Sequence, residues 1–235
     1  MNICNMRILD TDQFISERMK IRPVTNAELD QIQQDMKDMK YMLTSETQNH
    51  SGHVLYRIKA LQDIPSMDVK EGDLGGWVES YDNLDQKGDC WIADEAKVYG
   101  NAKVYDSALV YGNAEVYDNA QVYDKAEVYG YAYVWGSAKV YEDAKVYGKA
   151  SVYGNAEVYG SAQVYNKGHA YGNAKVFGNA CVYGKAKVYD NAEMHGNACV
   201  FGDAQVYGYA YVWGSAKVYG DAKIDYEVKD RNIDK

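Results

Sequence analysis

From Ala96 onward the chain repeats every six residues in the form Ala-x-Val-Tyr-Gly-Asn, for 22 hexads without insertion or deletion. Alanine opens each hexad, replaced once by Gly168. Valine stands two residues later in 19 of the hexads, and otherwise Ala170, Met194 or Ile224. The next residue is aromatic at 20 of the 21 positions from 99 to 219, His195 being the exception. A fixed short period of this kind belongs to a solenoid, because each unit can bury its apolar face only against the next. Within a hexad, Ala-x-Val alternates small inward, variable outward and aliphatic inward, the period of a short strand. Gly, Asp or Asn then follows the aromatic, as at Gly100, Asp106 and Gly112. These residues tolerate positive φ, so each hexad predicts a corner. Strand and corner in alternation predict an all-β chain coiled as a parallel β-helix.

The hexads resemble those of the left-handed parallel β-helix family, the hexapeptide-repeat fold, in which three hexads close one triangular coil. Upstream, Tyr56-Arg-Ile-Lys-Ala-Leu, Gly72-Asp-Leu-Gly-Gly-Trp-Val-Glu-Ser, Asn83-Leu and Gly88-Asp-Cys-Trp-Ile resemble the lead-in of a narrower group. That group comprises bacterial and phage hexapeptide-repeat proteins often labelled acyltransferases. The resemblance spans roughly residues 54–224 and implies about seven coils in the repeat, a barrel roughly 35 Å long at ~4.8 Å per strand. It also implies a homotrimer.

Residues three hexads apart then stack. One outward column reads Lys139, Glu157, Lys175, Glu193, alternating in charge as neighbouring strands favour. Another sets Cys181 beside Cys199; both side chains leave the sheet in the same direction, so two free thiols are expected. Gly130-Tyr-Ala-Tyr-Val-Trp-Gly-Ser recurs from Gly208. The two copies stand thirteen hexads apart, which is not a multiple of three. The second copy therefore falls on a different face, where a motif tied to one catalytic face would not survive.

Residues 1–50 read differently. Thr25-Asn-Ala-Glu28 is a capping box opening a helix with Leu29, Ile32, Met36, Met39 and Leu43 on one stripe. A shorter helix is expected from Asp12 to Lys20, before Pro23. The Leu29–Leu43 stripe is the candidate interaction surface, packing on the barrel end or pairing with other subunits. Phe14-Ile-Ser-Glu-Arg-Met-Lys-Ile-Arg-Pro-Val-Thr also resembles N-terminal segments of phage-encoded proteins. The remaining divisions are an irregular lead-in over 51–95, with Val78 and Leu84 out of phase with Ile92, the β-helix over 96–228 and a polar tail over 229–235.

The net charge of −9 is unevenly placed: residues 1–95 carry 18 acidic and 10 basic side chains, and the repeat is close to neutral. With no evident basic stripe, nucleic acid is not expected as a partner. No apolar run is long enough to span a membrane, and the N-terminus lacks signal-peptide character. Four cysteines without metal-ligand spacing point to a reducing compartment, so a cytoplasmic location is expected, that of the host if the chain is phage-encoded.

An acyltransferase of this family would, by resemblance, need a general-base histidine and a cleft for the acyl carrier. Only His169 and His195 lie in the repeat, and no loop interrupts it. His169 is the catalytic candidate, in a hexad where both inward positions have shrunk; drift in a tolerant repeat is the preferred reading, and it is preferred for His195 as well. A three-histidine zinc site is not formed, and Asp106, Asp124 and Glu142, stacked on one corner, are expected to bond local backbone rather than a cation. No threonine ladder follows Thr47, and the glycines are corners rather than a phosphate loop. No cofactor is expected. The aromatic ladder stabilises the coil, with part of it available as an interface. The expected function is a non-enzymatic, rigid interaction or scaffold protein that self-associates. The alternatives are an acyl-CoA-dependent acyltransferase using His169 and a phage inhibitor that binds a host protein through its acidic N-terminal half.

Overall fold

The computed structural model describes residues 25, 27, 34 and 37–234. The chain is all-β, a parallel solenoid of about 9 turns with 18-residue coils. Three sheets of 11, 9 and 8 strands form its sides. Each internal repeat strand pairs in parallel with the strands one coil before and one coil after, as Glu127 does with Leu109 and Lys145. The inward alanines and valines are fully buried in one continuous core.

Every sixth residue from Asp94 to Gly220 sits at positive φ, between 55° and 74°. Fifteen of these 22 corners are glycine, six are acidic and one is Asn166. The acids are not passive substitutes. Asp94, Asp118, Asp124, Glu142 and Asp190 each accept a hydrogen bond from the backbone N–H of the corner one coil on. Their carboxylates therefore tie one coil to the next.

The N-terminal end is closed by β1 (Tyr41–His50) and β2 (His53–Ala60), an antiparallel hairpin. Strand β2 pairs antiparallel with β3 (Leu74–Val78), and β3 pairs in parallel with Lys97–Val98. An antiparallel hairpin thus lies across a sheet edge that would otherwise template another chain.

The expected stripe from Leu29 to Leu43 is corrected at its end. Ala27, Gln34 and Lys37 have helical backbone, but Leu43 is buried in β1 and Met39 lies in an irregular turn. Leu29, Ile32 and Met36 lie outside the described residues, as does the Asp12–Lys20 segment. The helical pattern breaks because Lys40 and Tyr41 are claimed by the coil. Both backbone N–H groups donate to Gln86 Oε1, at 2.9 and 3.3 Å, and the buried Tyr41 hydroxyl donates to the Leu84 carbonyl at 2.7 Å.

The lead-in register shift is real. Val78 pairs with Val98 and Leu84 with Val104, a separation of 20, whereas Trp91 pairs with Leu109 at 18. The two additional residues fall within 85–90 and push backbone carbonyls out of the ladder. The buried Lys40 ammonium takes them up, donating to the carbonyls of Lys87, Gly88 and Cys90 at 3.3, 3.2 and 2.9 Å.

At the other end, Glu227–Lys229 and Asn232–Asp234 form further strands, pairing with Tyr211–Trp213 and Lys217–Tyr219. Inward Val228 and Ile233 follow Ile224 at spacings of four and five rather than six. The stretch read as a polar tail therefore contains a strand of a final, shortened coil.

Candidate functional site

The residue after each inward valine builds three continuous ladders of seven rings, one per corner. The first runs Tyr99, Tyr117, Trp135, Tyr153, Tyr171, Tyr189 and Tyr207, with centroids 4.3–5.7 Å apart. The second starts at Tyr105 and ends Phe177, His195, Trp213; the third starts at Tyr111 and ends Tyr183, Phe201, Tyr219. Planes within a ladder are nearly parallel, a coil rise being the natural separation of offset rings. Both faces of an internal ring are covered by its neighbours, so a sugar or base cannot stack there.

Two of the ladder ends, Tyr99 and Trp213, are covered too. His50 and His53 of the hairpin lie 5.5 and 5.0 Å from Tyr99, and Lys229 Nζ sits 4.1 Å over Trp213. His53 is held by Glu79 at 3.0 Å. Burial raises the Glu79 carboxyl, but hydrogen bonds with His53 and from the Gly100 N–H outweigh it and leave it below its ordinary range. Phenol hydroxyls bond to the next coil, Tyr105 to Gln121 at 3.2 Å and Tyr141 to Glu157 at 3.2 Å.

Not every aromatic is enclosed. In the duplicated motif, Tyr131 and Tyr133 are 55% and 37% exposed and Tyr209 is 84% exposed. Tyr133 belongs to the 11-stranded sheet and Tyr211 to the 8-stranded one, so the two copies do face different directions.

His169 projects outward between Ser151 and Lys187. Its Nδ1 is buried without a hydrogen-bond partner. Burial first, and then the charge of Lys187, hold the imidazole below its ordinary pKa, hence neutral at pH 7. His195 is a ladder rung 4.9 Å from Phe177, with Nε2 likewise buried and unpartnered. His169 lies in a strand of the 11-stranded sheet, whereas His195 follows a strand of the 8-stranded one, and among the described residues no carboxylate bonds to either imidazole. Of the three stacked corner acids, Asp124 and Glu142 bond backbone N–H groups as expected.

The expected free thiols are corrected. Cys181 and Cys199 are joined in a disulfide across adjacent coils, with Cα atoms 4.6 Å apart. Shared direction does not keep the sulfurs apart at that separation, which lies within bridging range. The alternating column holds, though weakly: Lys139–Glu157 and Lys175–Glu193 are 4.0 and 3.9 Å apart and partly exposed, so each contributes little.

A feature hidden in the near-neutral total is a corner column of Lys149, Lys167 and Lys185. These residues line a groove of about 450 Å³ together with Gly148, Asn166 and Gly184. Their spacing of one coil is the signal in the sequence that locates them. No helix among the described residues is long and apolar enough to cross a membrane. Comparison with protein-family models and with curated proteins finds no match.

Proposed function

We propose that the chain is a non-enzymatic, rigid interaction scaffold that self-associates, with the left-handed coil and trimeric assembly that the hexapeptide resemblance implies. What supports this reading above all is the exposure of Tyr131, Tyr133 and Tyr209, when the ladder rings around them have their faces covered. Exposed aromatic rings on a surface that could have stacked them are characteristic of association sites. The regular coils make a stiff support, and the duplicated motif offers two directions of attachment.

Light scattering coupled to size exclusion tests it. The full-length protein is expected as a discrete oligomer, and Tyr131→Ser/Tyr133→Ser/Tyr209→Ser as a smaller species with an unchanged circular dichroism spectrum. A wild-type monomer would remove the self-association part. The rival reading, acyl transfer, draws on the neutral His169 with its unpartnered Nδ1. Incubation with acetyl-CoA and a panel of amino sugars is expected to yield no acetylated product; turnover abolished by His169→Ala would replace the scaffold reading with the transferase.

A further inference from the structure

The outward columns on the strands of the repeat avoid stacking like charges. Asn101 donates to Asn119, Asn155 to Asn173 and Asn173 to Asn191. Lysine and glutamate alternate from Lys139 to Glu193. On the corners like charges do stack, in two runs of three: Asp106, Asp124 and Glu142, where the carboxylates of Asp124 and Glu142 accept backbone N–H bonds, and Lys149, Lys167 and Lys185, three ammonium groups in succession. The lysine backbones are one coil apart, so their column extends about 10 Å. Like charges directly opposite on neighbouring strands are destabilising. Asp203 lies 3.5 Å from Lys185 and relieves only that end. Lys149 and Lys167 make no ion pair among the described residues.

A second observation concerns the corner residue between them. Wherever the repeat departs from glycine at a positive-φ corner it uses Asp or Glu, except at Asn166. That one uncharged departure from glycine lines the lysine groove, between the glycine corners Gly148 and Gly184. An aspartate there would have the backbone conformation of the acidic corners and the cross-coil hydrogen bond that five of the six make, but it would set a carboxylate among the lysines. Asparagine keeps the αL geometry and leaves the charge unbalanced. On the adjoining strand, Lys187 adds a fourth exposed ammonium.

We propose that this groove binds a condensed phosphate chain, either free polyphosphate or the polyphosphate tail of a nucleotide, through Lys149, Lys167 and Lys185. Lysine is a flexible point charge suited to phosphate oxygens that present no fixed fork. An extended anion can satisfy all three ammonium groups at once, whereas orthophosphate reaches too few. The column is too short, and too closely followed by Asp203, to track a nucleic-acid strand.

Isothermal calorimetry on the full-length protein tests this with sodium tripolyphosphate, orthophosphate, ATP and a short single-stranded oligonucleotide. Tripolyphosphate is expected to bind at least about tenfold more tightly than orthophosphate, with affinity falling as salt rises. Lys167→Gln should weaken it by roughly tenfold. Asn166→Asp should weaken it comparably while leaving the melting temperature equal or higher, so lost binding cannot be put down to lost fold. Equal affinities for ATP and tripolyphosphate would show that the phosphate chain alone is read; tighter ATP would add the nucleoside to the ligand. The proposal is overturned if tripolyphosphate does not bind, if neither variant weakens it, or if the oligonucleotide binds far more tightly.

Discussion

A corner residue in this chain has two tasks, to accept positive φ and to leave room for the next coil. Glycine does both, and Asp or Glu adds a hydrogen bond to the following coil, as Asp118 does to Gly136. The first task is visible in sequence, because Gly, Asp and Asn are the residues that tolerate the conformation. The second is not, because it depends on which backbone lies opposite. Gly168 shows the same limit at an inward position. It stands where 21 other hexads have alanine and reads as drift, yet a Cβ there would lie 2.6 Å from the Val182 carbonyl oxygen and 3.2 Å from that of Tyr165. Restoring the consensus with Gly168→Ala is therefore expected to destabilise the protein, by about 1–3 kcal/mol as for other overpacked cores. Thermal melts of the two proteins check it, and a higher midpoint for the variant would return the site to drift.

At the scale of elements, the ladders make the strongest statement about solution behaviour. Burial, followed by neighbouring phenols and carboxylates, pushes Tyr111, Tyr123 and Tyr171 up to about 12. A pKa raised in the folded state gives stability that is complete below the unfolded value near 10 and is lost as pH climbs through the folded one. Stability should fall between about pH 10 and pH 12, with tyrosinate absorbance and loss of the β-sheet circular dichroism signal rising in one step. Phenols that titrate near 10 with the fold intact would contradict the enclosed ladder. The ladders were legible from the aromatic at every sixth position. The N-terminal cap was not: Met39 and Leu43 fit a helical stripe, and only tertiary bonds from Gln86 and Leu84 to residues 40 and 41 show why the chain turns to strand there. The disulfide was misread because shared side-chain direction was given more weight than the short distance between adjacent parallel strands.

For the whole molecule, coil register governs both stability and surface. The core would largely accept a shift by one hexad, since 19 of the 22 hexads offer the same Ala and Val. The outside would not, because the acidic corners, the charge columns, the disulfide and the lysine groove all depend on partners one coil away. This is also why the groove escaped a reading based on net charge: the repeat sums to near neutrality, and only the coil period gathers Lys149, Lys167 and Lys185. The most direct measurement compares thermal unfolding, followed by circular dichroism, of the full-length protein with two deletions, one of residues 139–156 and one of residues 139–144. Removing 139–156 restores every column in register and should preserve a cooperative β-rich transition. Removing 139–144 keeps the core pattern but misaligns the outer columns, and should lower the midpoint further. If the longer deletion unfolds the protein while the shorter leaves it intact, the three-hexad coil is not the unit that holds the scaffold together.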